Sequence, residues 1–284
     1  MTGWNVDPLE LTAICLAGGL YARRAATLAR RGRPVPWYRA AAFAGGLAVV
    51  ALALVSPIDT LGEERLFSVH MLQHLLLGDV APLLVVLGID GRLLRPLLAR
   101  PVVHRLRVLA HPLVALPLWA ADFCIWHVPA LFDAALRNDA VHALQHGLFF
   151  TCGTLLWAAL LEPLPGPAWF SAPWKLPYLL CMWLVMLALS QIFIWSGHVY
   201  YEPYLHVPRT WGMSPLDDQK AGGGVMLVES AFTMIGVLVW LLFTIFRETE
   251  ARQRLLDAGV DPRVAARAAR YNRDPARSVA SRGA

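Results

Sequence analysis

Apolar residues in this chain neither alternate nor mark one face of a helix. They run in seven blocks, at residues 9–22, 40–55, 66–88, 109–126, 142–161, 176–195 and 222–246. A helix needs about 20 mostly apolar residues to cross a bilayer. Backbone polar groups in hydrocarbon are satisfied only within helices or closed barrels. The pattern therefore predicts an all-α fold: a polytopic membrane bundle of seven transmembrane helices over residues 1–246. The first block is the weakest, because Gly18 and Gly19 interrupt it and Arg23 and Arg24 close it early. Arginine side chains that reach back to the interface let a short block span. Met1 to Glu10 lacks the basic n-region of a secretory signal, so the block is counted as structure.

The connections between blocks alternate in charge. Residues 22–39 hold six Lys or Arg, residues 89–110 five, residues 162–177 one, and the tail from Arg247 nine. The other connections hold only Arg65, Arg137, Arg209 and Lys220, beside acids such as Asp59, Glu63, Asp133 and Glu202. Basic residues are retained on the cytoplasmic side, so the N-terminus is expected outside and the C-terminus inside. Residues 247–284 then form a basic cytoplasmic tail. Its first part, residues 248–256, is expected to continue the last helix, and the remainder has too little apolar content to fold alone.

Composition agrees with a lipid environment. Of 284 residues 57% are hydrophobic and 16% charged, against about 25% charged in soluble domains, and mean hydropathy is +0.50. The net charge of +5 comes from arginines spread between apolar blocks, which is topology rather than a nucleic-acid patch. Cys15, Cys124, Cys152 and Cys181 lie inside apolar stretches without a CxxC, so no disulfide framework is expected.

The histidines carry the chemical signal. HMLQH sets His70 and His74 four residues apart at the outer start of the third block, and HALQH repeats the spacing with His142 and His146 at the fifth. An i,i+4 pair shares one helix face, about 6 Å apart along the axis. His127 ends the fourth block, and His198 and His206 follow the sixth, so seven of nine histidines fall on the outer side. A lone interfacial histidine is usually no ligand, but two HxxxH pairs and a helix-end histidine at matched depth point to a shared metal site. Neutral imidazole suits Zn, Cu, Fe and Ni, and spacing does not choose among them. Cys124, three residues before His127 and on roughly its face, and Met71 and Met213 are softer candidate donors, each also an ordinary packing residue.

Three acids interrupt apolar helices: Asp79, Asp122 and Glu229. Carboxylates there usually face the bundle interior and mark ion paths or orient a ligand. Interhelical hydrogen bonding accounts for them equally well. Helical arithmetic places Asp79 opposite His70, away from the same ion. Glu229 follows Asp218 by three turns and shares its face. The last helix opens on DDQKAGGG, where three glycines let a neighbouring backbone approach and Asp217, Asp218 or Gln219 can cap freed groups. No catalytic triad, phosphate-cradling loop or dinucleotide fingerprint is present, so an enzyme is not indicated.

HMLQHLLLGDVAPLLVVLG, WHVPALFDAAL, HALQHGLFF, PLPGPAW and DDQKAGGGVM, in that order, resemble the CtaG-type cytochrome c oxidase assembly factors of the caa-type oxidases. The resemblance runs from about the second block to the seventh. It implies a seven-helix protein of the bacterial inner membrane that matures a haem-copper oxidase by handling copper, with oxidase subunits as partners. The family's motif histidines fall on His70, His74, His127, His142 and His146, and its Asp-Gln pair on Asp218 and Gln219. Lys220 departs from the pattern and sets a positive charge beside Gln219. Such a site is expected at a partly open helix mouth. Three rivals remain, of which the first two are a haem protein ligated by His74 and His146 and a copper or proton transporter using Asp79, Asp122 and Glu229. A scaffold that only holds oxidase subunits together is a third.

Overall fold

A computed structural model of the chain describes residue 4 and residues 7–271. Thirteen α-helices follow in order among these residues: α1 (Pro8–Arg30), α2 (Trp37–Val55), α3 (Pro57–Glu64), α4 (Phe67–Leu75), α5 (Ala81–Gly88), α6 (Gly91–Leu98), α7 (Pro101–Leu106), α8 (Pro112–Trp126), α9 (Pro129–Arg137), α10 (Asp139–Leu161), α11 (Ala172–Trp195), α12 (Pro215–Asp257) and α13 (Pro262–Tyr271). No strand occurs among the described residues.

Five helical stretches are long and apolar enough to cross a membrane: α2, the run Phe67–Gly88, α10, α11 and α12. A sixth results if Pro101–Ala110 and α8, bent by 74° at His111, count as one span. The all-helical multi-pass bundle is thus present, with five or six candidate spans where seven were expected. The shortfall lies in the first block. Helix α1 has 23 residues, but Glu10, Arg23, Arg24 and Arg30 dilute its apolar character. Phe232, Phe243, Phe246, Leu184 and Ile192 stand exposed along α11 and α12, an apolar surface that water would not favour.

The run Phe67–Gly88 is the central helix: 61% of its apolar stretch is buried, against 17% for α2. A π turn at Leu76–Val80 joins α4 to α5. The extra residue per turn brings Gly78 against α10, where a Cβ on Gly153 would lie 2.0 Å from the Gly78 carbonyl oxygen. Only glycine permits that approach. Helix α4 packs on α3 and α12, α5 on α2 and α10, α8 on α10, and α11 on α12.

Residues 248–256 do extend α12. Beyond them, disorder does not hold for residues 262–271, which form α13. Apolar burial is small there, through Ala265 and Ala268. Beyond this packing on α12, the polar contacts that hold α13 come mainly from one side chain. The Arg270 guanidinium binds the Glu162 carboxylate and donates to the carbonyls of Pro167 and Ala168, both at 3.2 Å, and of Phe170. Lys175 Nζ adds a contact to Glu162 at 3.5 Å. Residues 272–284, where disorder was also expected, lie outside the described residues.

Candidate metal centre

The two HxxxH pairs converge. Helices α4 and α10 meet so that one ring nitrogen from each of His70, His74, His142 and His146 lies within 4.8 Å of all the others. All four are buried: His70 is 0% exposed, His74 4%, His142 7% and His146 9%. The partly open helix mouth expected above is therefore closed, and the reason is α9. It lays Phe132 over the cluster, with ring centres 5.0 Å from His70 and 6.0 Å from His74. Tyr201 stacks behind Phe132 at 4.0 Å.

Hydrogen bonds orient the imidazoles. The Tyr204 hydroxyl donates to the Gly62 carbonyl at 2.7 Å, so its oxygen accepts from His70 Nδ1–H, also at 2.7 Å. Burial, reinforced by the Asp218 and Glu63 carboxylates, pushes the Tyr204 phenol well above its ordinary range, which keeps it a neutral hydroxyl. With Nδ1 protonated, neutral His70 carries its lone pair on Nε2, 2.8 Å from His74 Nε2. His142 Nδ1 pairs with Glu63 Oε1 at 2.8 Å. The Nε2 atoms of His142 and His146 are buried without a partner. Buried polar atoms are rarely left so. For His70 and His142, a ring nitrogen turned inward and the other held by an outer hydrogen bond is the arrangement metal-ligating histidines adopt, whereas His74 Nδ1 has no partner. The residues present therefore fit a cation bound by neutral imidazoles.

His127 sits at the edge of this group. Its Nδ1 donates to the Phe123 carbonyl at 2.6 Å, its Nε2 has no partner, and its ring centre lies 6.0 Å from that of His74. Cys124 is exposed. The shared face inferred from their spacing fails because α8 ends at Trp126 and His127 leaves the helix. His198 and His206 are exposed in the connection after α11. Met71 is buried against Gly222 of α12.

Asp218 and Gln219 are buried and taken up by backbone. Asp218 Oδ2 accepts from Phe67 N at 2.7 Å, and Oδ1 from Ser68 N at 3.1 Å and Ser68 Oγ at 2.5 Å. Helix α4 has Leu66 at its N-cap position and no capping side chain of its own, so Asp218 caps it from α12. Gln219 accepts from Tyr200 N at 2.8 Å and donates to the His198 carbonyl at 3.0 Å, which pins the loop that carries Tyr201 and Tyr204. Lys220 is exposed, so its charge does not face the cluster.

Deeper in the bundle, Trp157 Nε1 donates to Asp79 Oδ1 at 2.8 Å, and Thr233 Oγ1 to Glu229 Oε1 at 2.8 Å. The two carboxyl groups face each other. Asp122 instead lies beside Cys152 and Trp126. Cys152 and Trp157 are five residues apart on α10, about 140° around it, so the Asp79–Glu229 pair and Asp122 approach that helix from different sides. Glu63, Tyr204 and Phe132 were not visible from sequence. No spacing links them to the histidines, because α3, the loop after α11 and α9 supply them separately.

A family model described as a cytochrome c oxidase caa3 assembly factor matches residues 19–248. Uncharacterized proteins of Mycobacterium bovis and Mycobacterium tuberculosis are each 29% identical over 265 residues, taking in 85% of this chain and 39% of theirs. One of Mycobacterium leprae is 27% identical over the same length and shares. The chain thus spans 39% of the length of these curated relatives. No solved structure matches.

Proposed function

The chain belongs to the cytochrome c oxidase caa3 assembly factor family, and from that membership we propose that it holds a copper ion on His70, His74, His142 and His146 and passes it to an oxidase subunit. Copper is its cargo. The observation that carries this reading is the convergence of four buried ring nitrogens within 4.8 Å, drawn from two helices and left without acidic partners on the side that faces the ion. Imidazole binds copper in either oxidation state. With four neutral ligands the site adds no negative charge, so the ion is held without the electrostatic trap that thiolates would provide, and a partner offering thiolate can extract it.

The charge alternation of the connections supports a histidine end outside a bacterial inner membrane, the side on which an extracytoplasmic copper centre of an oxidase would meet it. Release requires Phe132 to move, and α9 is the element that carries it. Glu63, with its side chain 36% exposed beside His142, gives the approach to the cluster a negative charge. The haem alternative is disfavoured by packing. Ring centres of 4.0 Å between His142 and His146 and 5.6 Å between His74 and His146 leave no slot for a macrocycle. The transporter alternative lacks a single file of acids.

The test is copper retention by detergent-purified protein. After loading under reductant and extensive washing, elemental analysis is expected to find about one copper per chain, which then moves to a purified oxidase copper-centre domain. A chain that retains no copper leaves the scaffold role in its place. Tyr204→Phe removes the acceptor for His70 Nδ1–H and is expected to weaken copper binding about 10–100-fold, read by competition with a chromogenic copper chelator. Unchanged affinity would show that the Tyr204–His70 bond orients nothing.

A further inference from the structure

At the end of the bundle opposite the histidines, α12, α13 and the loop before α11 enclose a cleft of about 690 Å³. Four arginines line it, Arg252 from α12 and Arg263, Arg267 and Arg270 from α13. Arg270 is bound to Glu162, while the guanidinium groups of Arg252, Arg263 and Arg267 have no ion-pair or hydrogen-bond partner among the described residues. One carboxylate, Glu248, lines the cleft with them. Glu162, the other acid nearby, is already engaged by Arg270 and Lys175. Among the described residues the cleft therefore carries an excess of positive charge. Helix α13 turns its alanines, Ala265 and Ala268, onto the bundle. Arg263 and Arg267, one turn apart, face the cleft together.

The depth of the cleft identifies the source of an anion. Trp169 and Trp174, on or next to the loop that forms one wall, are 43% and 58% exposed, and Phe243 and Phe246 stand exposed on α12 just before the cleft begins. Exposed tryptophans mark the level of lipid headgroups, and exposed phenylalanines mark acyl chains. Basic pockets at that level bind anionic headgroups, and the guanidinium fork matches a phosphate better than an ammonium does.

We propose that this cleft binds the phosphate-bearing headgroup of an anionic phospholipid, which joins α13 to α12 by bridging Arg252 with Arg263 and Arg267. The site is independent of the copper reading and stands or falls by itself. Its role is to complete the docking of α13, which Arg270 begins and which little apolar burial supports.

The test is native mass spectrometry of the full chain in detergent, titrated with phosphatidylglycerol, phosphatidylcholine and inorganic phosphate. Wild type is expected to keep phosphatidylglycerol in preference to phosphatidylcholine. The variant R252Q/R263Q/R267Q should lose that preference about tenfold, while R30Q/R31Q/R33Q, which removes equal charge from the end of α1, should keep it. Ala266→Trp fills the cleft without changing its charge and should lose the preference as well, which separates binding from any misfolding of the triple variant. Equal loss in both triple variants, or loss in neither, overturns the proposal in favour of unspecific surface charge. Displacement of the lipid by millimolar inorganic phosphate overturns it in favour of a soluble ligand.

Discussion

Replacing His70, His74, His142 and His146 together by alanine will bring retained copper from about one equivalent per chain to background. Loss of one outer partner of a metal ligand costs about 10–100-fold in affinity, and removing all four ligands must exceed that. The fold should survive, because the substitutions leave the Asp218 cap, the α11–α12 packing and the Gly78–Gly153 contact in place. Helix content by circular dichroism is therefore expected to match wild type. His127→Ala is the instructive contrast. Its ring lies outside the four-histidine group, so it should weaken binding by less than about tenfold, short of the range for an outer partner. If His127→Ala abolished binding while the quadruple variant kept copper, the site would have to be redrawn around the end of α8.

Asp218→Ala will unfold the histidine end without touching a ligand. It strands the N–H groups of Phe67 and Ser68 in a buried setting, at about 1–3 kcal/mol each, for a total of roughly 2–6 kcal/mol. The first turn of α4 frays, and His70 sits in the next turn, so copper retention should fall together with the unfolding midpoint in detergent. Asp218→Asn keeps one acceptor oxygen and should recover part of both. If Asp218 were instead a copper ligand, the asparagine variant would keep its stability and lose its copper. That separation of midpoint from metal content would overturn the capping role.

Both variants show where sequence and structure part. The i,i+4 spacing within HMLQH and HALQH is a local property, so each pair's shared face was legible. That α4 and α10 bring the pairs together depends on helix packing, and the matched depth of the two motifs was the only hint of it. The Asp218–Gln219 pair was recognisable as a motif able to cap freed backbone groups, but not as the cap of α4, since the partners of Asp218 lie 151 and 150 residues upstream. Closure of the site by Phe132 was hidden because an aromatic in a short amphipathic helix reads as ordinary packing. Helix α13 was misjudged because apolar content measures the drive to bury surface. A single arginine meeting a carboxylate about a hundred residues earlier leaves no such trace. The π turn at Leu76–Val80 was likewise invisible, although Gly78 and Gly153 both stand in the sequence.

The cap on α4 also orders events during synthesis. His146 emerges well before residue 218, so a growing chain has all four imidazoles in the membrane while the first turn of α4 still lacks its acceptor. On the proposed copper role, metal capture waits for α12 to insert, and a product truncated before it carries the histidines without the seat. Insertion of α12 thereby becomes a checkpoint against a half-built site sequestering a reactive ion.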